Sequence, residues 1–185
     1  MLLARLGDTS YNVVLLLHIL TAIVGFGAVF LNALYGRAAE RRKGVEGLAI
    51  AEVNYDVSLM AGYFIYAVPV FGILLVLMSD TGSGERAYEF SQAWISASFV
   101  LYIVGLGVSH GVLRPNMKAM HALMRELVAM PPASSAGPPA TGAGAGRPPQ
   151  VDEIERRGRT VGVAGAVLNL ILIIILYLMV WKPGL

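Results

Sequence analysis

The chain has 185 residues, of which 56% are apolar and only 14% are Asp, Glu, Lys or Arg. Soluble globular proteins carry about 25% charged residues, so this composition argues against a soluble enzyme, a nucleic-acid-binding protein and a disordered chain. The absence of cysteine from the sequence excludes disulfides, thiolate metal sites and iron–sulfur clusters. The net charge of +2 is too small to indicate a partner, so the position of each charge is more informative.

Four uncharged segments are long enough to cross a bilayer, because a hydrocarbon core of roughly 30 Å requires about 20 apolar residues in a helix. They are residues 11–35, 57–78, 90–113 and 161–181. None alternates polar and apolar residues as a membrane-spanning strand does. The sequence therefore predicts an all-α integral membrane protein, a single domain built as a four-helix bundle.

The basic residues cluster on one side of these spans. The connection after the first span and the connection after the third together hold eleven of the fourteen lysines and arginines. Because basic loops stay in the cytoplasm, both termini and the loop between the second and third spans are predicted to lie outside it. The predicted location is the inner (plasma) membrane of the cell, with the lipid bilayer as the first partner.

The second basic connection contains two segments of different character. The helix is predicted to break at Arg114–Pro115. Residues 116–130 then carry apolar side chains at helical spacing, which predicts a short amphipathic helix lying at the cytoplasmic interface. Residues 131–150 are mainly Pro, Gly and Ala, which bury too little apolar surface to offset their ordering entropy. They are predicted to form a flexible, disordered loop. Thr160, further along the chain, is predicted to cap the fourth span.

Two histidines lie within the spans, where ionisable groups are costly and suggest a function. At a rise of about 1.5 Å per residue, His18 and His110 lie roughly 15–20 Å apart along the membrane normal, so they should not ligate one haem iron together. His18 alone could ligate haem b or another metal, or hydrogen-bond a quinone. The alternative is a structural bond to a polar residue of the third span: Ser96, Ser98 or Gln92.

His110 is predicted to lie near the cytoplasmic level, at the same depth as Asn32, Tyr35 and Arg37. One interpretation is a polar contact that joins the helix ends. The other is a site for an anionic ligand or lipid head group, held by Arg37 and His110.

Other polar and sulfur-containing residues favour packing over chemistry. Thioethers and imidazole suit Cu(I), so the amphipathic helix offers a candidate metal site; its residues are Met117, Met120, His121 and Met124. The same methionines form the apolar stripe of that helix, and packing is the favoured interpretation. Asn169 is predicted to make an interhelical hydrogen bond. Three tyrosines near mid-membrane are predicted to face the bundle, or to line a cofactor site: Tyr63, Tyr66 and Tyr102.

The first span with its exit, LLLHILTAIVGFGAVFLNALYGRAAERR, and the ending LMVWKPG resemble an uncharacterised family of small bacterial four-helix predicted integral membrane proteins. More distantly, the chain is similar to copper-resistance D-like proteins and to HemJ-type protoporphyrinogen oxidases. The HemJ-type resemblance implies haem b on a histidine of the first helix, which His18 would match. It also implies a lysine in a later helix, which has no counterpart in these spans.

Three classes of function remain. The favoured class is a non-enzymatic accessory or anchoring subunit of a membrane complex, because the spans hold few polar groups and many small packing residues. The second is a redox protein with haem b or a quinone at His18. The third is a transporter of a small solute or metal, although the spans lack acidic residues and paired broken helices. The predicted protein partner is another membrane protein or a second copy of the chain, and no nucleic acid.

Overall fold

A computed structural model describes residues 7–42, 44–83, 85–130 and 148–184. Within these ranges the helices are α1 (Thr9–Arg42), α2 (Gly44–Leu77), α3 (Ala93–Val108), α4 (Arg114–Ala129) and α5 (Pro149–Trp181). Four helical segments of the described chain are long and apolar enough to cross a membrane: α1, α2, α3 continued into α4, and α5. The predicted all-α membrane fold is confirmed, although the third helix begins at Ala93 instead of residue 90.

α1 and α2 form a helical hairpin and pack against each other along much of their length. Gly44 begins α2 with φ of +57°, a left-handed conformation that glycine adopts without steric cost. At Gly47, a β-carbon would lie 2.6 Å from the carbonyl oxygen of Ala39. The tight connection between the two helices therefore depends on the small size of glycine.

The helices are longer than the membrane is thick. The 34 residues of α1 and of α2 each measure about 50 Å, against a hydrocarbon core of roughly 30 Å. The end of the bundle that contains the α1–α2 turn, α4 and the start of α5 is called the basic end. The opposite end, with residues 78–92 and the C-terminus of α5, is called the loop end. The basic end carries Arg37, Arg41, Arg42, Arg114, Lys118, Arg125, Arg156, Arg157 and Arg159.

The predicted break at Arg114–Pro115 is wrong. Arg114 has helical dihedral angles (φ −59°, ψ −48°), and a π-helical turn, Ser109–Leu113, joins α3 to α4. A proline lacks an N–H, and its ring crowds the carbonyl four residues earlier. A π-helical turn shifts the hydrogen bonds to a wider spacing, which accommodates Pro115 without ending the helix.

α4 is amphipathic as predicted, but it continues the bundle rather than forming a separate surface helix. Its apolar face packs on α5, where Met117 is buried with Ala164 and with Leu113 of the π-helical turn. On the polar side, Arg125 Nε donates to Glu52 Oε1 of α2 at 2.7 Å. The side chains at the basic end thus join α2, α4 and α5 to one another.

α5 begins twelve residues before the predicted span, at Pro149. Thr160 therefore lies inside the helix, where its hydroxyl donates to the carbonyl of Arg156 at 3.3 Å, and the predicted cap is wrong. Of the predicted disordered loop, residues 131–147 lie outside the described residues, and its last two residues belong to α5. Asn169 Oδ1 is buried without a hydrogen-bond partner among the described residues, so the predicted interhelical bond is not observed.

The outward surface of the helices is apolar. Leu16, Ile23 and Ile103 are each more than 60% exposed. An apolar surface of this extent is unsuited to water, and it matches the hydrocarbon of a bilayer.

The loop end is closed by contacts between residues 78–92 and the end of α5. Ser79 is fully buried, and its hydroxyl donates to the carbonyls of Val76 and Tyr88. Lys182 Nζ donates to the Tyr88 hydroxyl at 2.8 Å and lies 5.8 Å from the ring centroid of Trp94. These contacts explain how the ending LMVWKPG takes part in the fold.

Candidate functional site

His18 lies on α1 and contacts α2. Its Nδ1 atom is 3.0 Å from the carbonyl oxygen of Val68. Because a carbonyl only accepts, Nδ1 carries the proton and Nε2 is the unprotonated atom. The close approach depends on Gly72, since a β-carbon there would lie 3.3 Å from His18 Cε1. The predicted structural partners on the third span, Ser96, Ser98 and Gln92, do not bond His18.

Pro69 follows Val68 and interrupts the hydrogen bonds of α2. Because proline has no N–H, the carbonyl of Ile65 loses the donor that an α-helix would provide. The hydroxyl of Tyr102 on α3 donates to this carbonyl at 3.2 Å. In a bilayer, a carbonyl freed by proline has to find its donor on a neighbouring element. Tyr102 thus faces the bundle as predicted and joins α3 to α2 at the proline.

His110 lies in the π-helical turn and bonds through both ring nitrogens. Nδ1 is 2.9 Å from the carbonyl oxygen of Leu106, and Nε2 is 2.6 Å from the hydroxyl of Tyr66. Nδ1 therefore carries the proton, and Tyr66 donates to Nε2. Tyr66 itself is 40% exposed and Tyr63 is 76% exposed, so the prediction that Tyr63 faces the bundle is wrong.

The structure does not bring together the residues that share the predicted depth of His110. Asn32 Oδ1 accepts a hydrogen bond from Ser58 Oγ of α2 at 3.0 Å. Tyr35 and Arg37 are exposed on α1, whereas His110 bonds Tyr66. Binding of a head group by Arg37 or His110 stays a prediction.

A cavity of about 90 Å³ lies between α1, α2, α3, α4 and α5. Most of its wall is apolar, including Phe26, Leu106 and Leu168. Polar side chains line it toward the basic end, among them Asn32, Ser58 and Arg114. The cavity is smaller than the roughly 300–1,000 Å³ of typical small-molecule pockets, so it would hold a small group or part of a larger molecule.

Arg114 also lines the cavity, although the sequence predicted it to lie in the connection after the third span. A β-carbon at Gly62 would lie 3.0 Å from Arg114 Nη2, so the guanidinium lies against α2 at this glycine. Helical side chains lean toward the N-terminus of their helix, which here directs Arg114 back toward the membrane interior. Among the described residues, Arg114 has no ion-pair or hydrogen-bond partner. In the sequence, the position of Arg114 directly after an apolar run was the feature that could have indicated this location.

The methionine–histidine stripe of α4 is occupied by packing contacts. Met117 is buried, Met120 approaches Gly158 of α5, and His121 packs edge-to-face on Tyr55 with ring centroids 5.2 Å apart. Trp94 lies at the start of α3, at the loop end of the bundle, and His121 lies about 40 Å from it along the helix. His121 is therefore beyond a hydrocarbon core of roughly 30 Å. Burial lowers the pKa of His121, while the nearby Glu52 carboxylate acts in the opposite direction.

The described residues contain no group of three His, Cys, Asp or Glu side chains placed to hold a metal ion. Cu(I) binding by the stripe, which would also need Met124, stays a prediction.

Comparison with known proteins identifies the family of the chain. No curated protein and no solved structure matches it significantly. A family model described as a predicted integral membrane protein (DUF2269) matches residues 12–183. This match covers all four membrane-spanning segments and confirms the resemblance to an uncharacterised membrane family. The chain therefore belongs to the DUF2269 family of predicted integral membrane proteins.

Proposed function

We propose that this integral membrane protein is a non-enzymatic accessory subunit, which holds a transmembrane helix of another protein. The single observation that carries the proposal is an open groove between the π-helical turn and α5. Val108 and Val112 form one wall, and Val163 and Val167 form the other. In a bilayer such a groove is filled either by lipid chains or by a helix.

Small residues beside the groove favour a helix as its occupant. Gly107 and Gly111 lie one turn apart, and a β-carbon at either would have no neighbour within 4 Å. Transmembrane helices associate where small residues allow close backbone approach. The exposed Arg159 lines the groove toward the basic end. Two copies joined symmetrically through this groove would bring their basic ends together, which like charges oppose. The proposed occupant is therefore a helix of a different protein.

The concentration of basic residues supports a cytoplasmic position for the basic end, in the inner (plasma) membrane. Both termini would then lie on the other side. Because the chain has no cysteine, single-cysteine variants report this orientation directly. In intact cells, an impermeant maleimide should label Ser83→Cys but not Lys118→Cys. The reverse pattern would contradict the proposed orientation.

Site-specific photo-crosslinking tests the accessory function. A photoreactive residue at Val112 should yield one discrete adduct with another membrane polypeptide, and the same residue at the exposed Val100 should not. Gly107→Leu should abolish the adduct by filling the open face. Gly27→Leu is the matched control, because residue 27 also has open space around its β-carbon position. Adducts with lipid alone, or with a second copy of the chain, would contradict the proposal.

The second candidate is a redox protein that holds haem b or a quinone at His18. The bond from His18 Nδ1 to the Val68 carbonyl is the observation that supports it, because metal-ligating histidines commonly donate their other ring nitrogen in this way. A Soret band in the purified protein, retained in His110→Ala and lost in His18→Ala, would support the candidate. A colourless preparation without extractable quinone would exclude it.

A further inference from the structure

The cavity at the basic end combines a cation and an amide with an apolar wall. Asn32 Oδ1 accepts a hydrogen bond from Ser58 Oγ, and the amide N–H groups of Asn32 are donors that it can offer to another molecule. Arg114 offers only donors, and it carries a full positive charge. The polar part of the cavity is therefore suited to an acceptor with negative charge.

The depth of Arg114 makes an unpaired cation costly. Gly62, against which its guanidinium lies, is fifteen residues from the end of α2 at Leu77. Leu77 lies at the loop end, and this separation corresponds to about 22 Å along the helix. Because the hydrocarbon core is roughly 30 Å thick, the guanidinium lies at a depth within the core. In an environment of low dielectric constant, a cation is stabilised by a nearby anion. Among the described residues, no carboxylate provides that charge to Arg114.

The rest of the cavity indicates what carries the negative charge. Beyond the polar residues, the wall is formed by side chains such as Phe26, Leu106 and Leu168. Leu59 also lines the cavity and is 39% exposed, so the wall continues to the membrane-facing surface. A hydrated inorganic anion would gain little from this wall, whereas an acyl chain would bury apolar surface against it.

We propose that Arg114 and Asn32 bind the oxyanion head of an anionic lipid whose acyl chain lies along the apolar wall. The head is either a phosphodiester, as in a phospholipid, or a carboxylate, as in a fatty acid. Both chemistries present the acceptor oxygens that a guanidinium binds strongly. This site is independent of the groove between the π-helical turn and α5 and of His18.

Native mass spectrometry of the delipidated full chain in neutral detergent tests the site. The probes are phosphatidylglycerol, oleate, phosphatidylcholine and inorganic phosphate. Wild type should bind one molecule of phosphatidylglycerol or oleate, and the preferred probe identifies the head as phosphodiester or carboxylate. Arg114→Gln should weaken this binding by about tenfold or more, since charge-assisted hydrogen bonds are lost. Lys118→Gln removes an exposed charge from the same helix and should leave binding unchanged.

Two further variants separate binding from folding. Arg114→Lys keeps the charge and should retain part of the affinity, while Leu106→Trp fills the apolar wall and should weaken binding with Arg114 intact. Equal binding by wild type and Arg114→Gln would overturn the proposal. Equal losses in Lys118→Gln and Arg114→Gln would also overturn it, because surface charge would then explain the effect. Binding of phosphatidylcholine or inorganic phosphate as tightly as the anionic lipids would overturn it too.

Discussion

Lys182 at the loop end and Arg114 at the basic end are both cations close to aromatic and apolar side chains, yet their surroundings differ. Lys182 donates to Tyr88 and lies near the rings of Tyr88 and Trp94. Arg114 lies against Gly62 beside a cavity, with no acidic or hydrogen-bonded partner among the described residues. A cation held by its own chain stabilises the fold, whereas a cation facing a cavity is available to a ligand.

The largest effect on the free energy of unfolding is expected at Pro69 of α2, which lies between these two ends. Tyr102→Phe removes the donor to the Ile65 carbonyl and should lower the free energy of unfolding by about 0.6–1.7 kcal/mol, the range for hydrogen bonds between membrane helices. Pro69→Ala restores an N–H four residues after Ile65. The loss caused by Tyr102→Phe should therefore shrink in the Pro69→Ala background. Unfolding in mixed micelles measures this cycle.

Tyr63→Phe is the matched control for that cycle, because Tyr63 is 76% exposed. Its free energy of unfolding should stay within about 0.5 kcal/mol of wild type. A Tyr102→Phe loss that is unchanged by Pro69→Ala would show that the hydroxyl does not compensate for the proline.

The next largest effect on the free energy of unfolding is expected when the two cations, Lys182 and Arg114, are each replaced. Lys182→Met removes the hydrogen bond and the cation–π contacts, and should lower the free energy of unfolding by about 0.5–1 kcal/mol. Arg114→Met keeps an apolar stem against Gly62. In lipid-free micelles it should leave that free energy unchanged or raise it, because it removes a cation without a protein partner. Equal losses in both variants would contradict the distinction between the two ends.

The smallest expected effect is a pH dependence at the basic end. Burial lowers the pKa of His121, so the folded state favours the neutral imidazole. The resulting stabilisation is fully present at pH values above the ordinary histidine pKa of about 6.5. This contribution is lost as the pH falls through the lowered pKa. The protection factors of the α4 amides, which are the intrinsic exchange rate divided by the observed rate at each pH, should therefore fall between pH 7.5 and pH 5.5. His121→Gln should reduce this change.

Charged groups near His121 determine the size of that effect. Glu52 and Asp56 favour the protonated imidazole, and Arg125 disfavours it. Protection factors in α4 that rise on acidification would contradict the predicted sign. Protection factors in α3, which lies closer to the loop end, should change less and serve as the internal control.

Much of the fold could be predicted because the apolar segments are long and uncharged. Hydrocarbon offers no partner to a backbone N–H or carbonyl, so each such segment has to be helical. The helix ends were predicted less well. Apolar composition marks where the membrane ends, whereas α1, α2 and α5 continue beyond it into charged sequence. Pro115 also suggested a break, which the π-helical turn avoids.

The candidate sites were predictable only in part. The cost of ionisable groups in lipid singled out His18 and His110, but their partners, Val68 and Tyr66, lie on α2 far away in sequence. Arg114 was missed because a basic residue after an apolar run normally marks the membrane surface.

Hydrophobicity along the chain by itself determined that this protein is helical and spans a membrane, because burial in lipid depends on composition over about 20 residues. Only the tertiary structure decided that Tyr102 compensates for Pro69 and that Arg114 reaches a cavity beside Gly62. Those contacts depend on how the helices are rotated and aligned against each other. In a membrane, small-residue packing sets this alignment, and hydropathy carries no information about it.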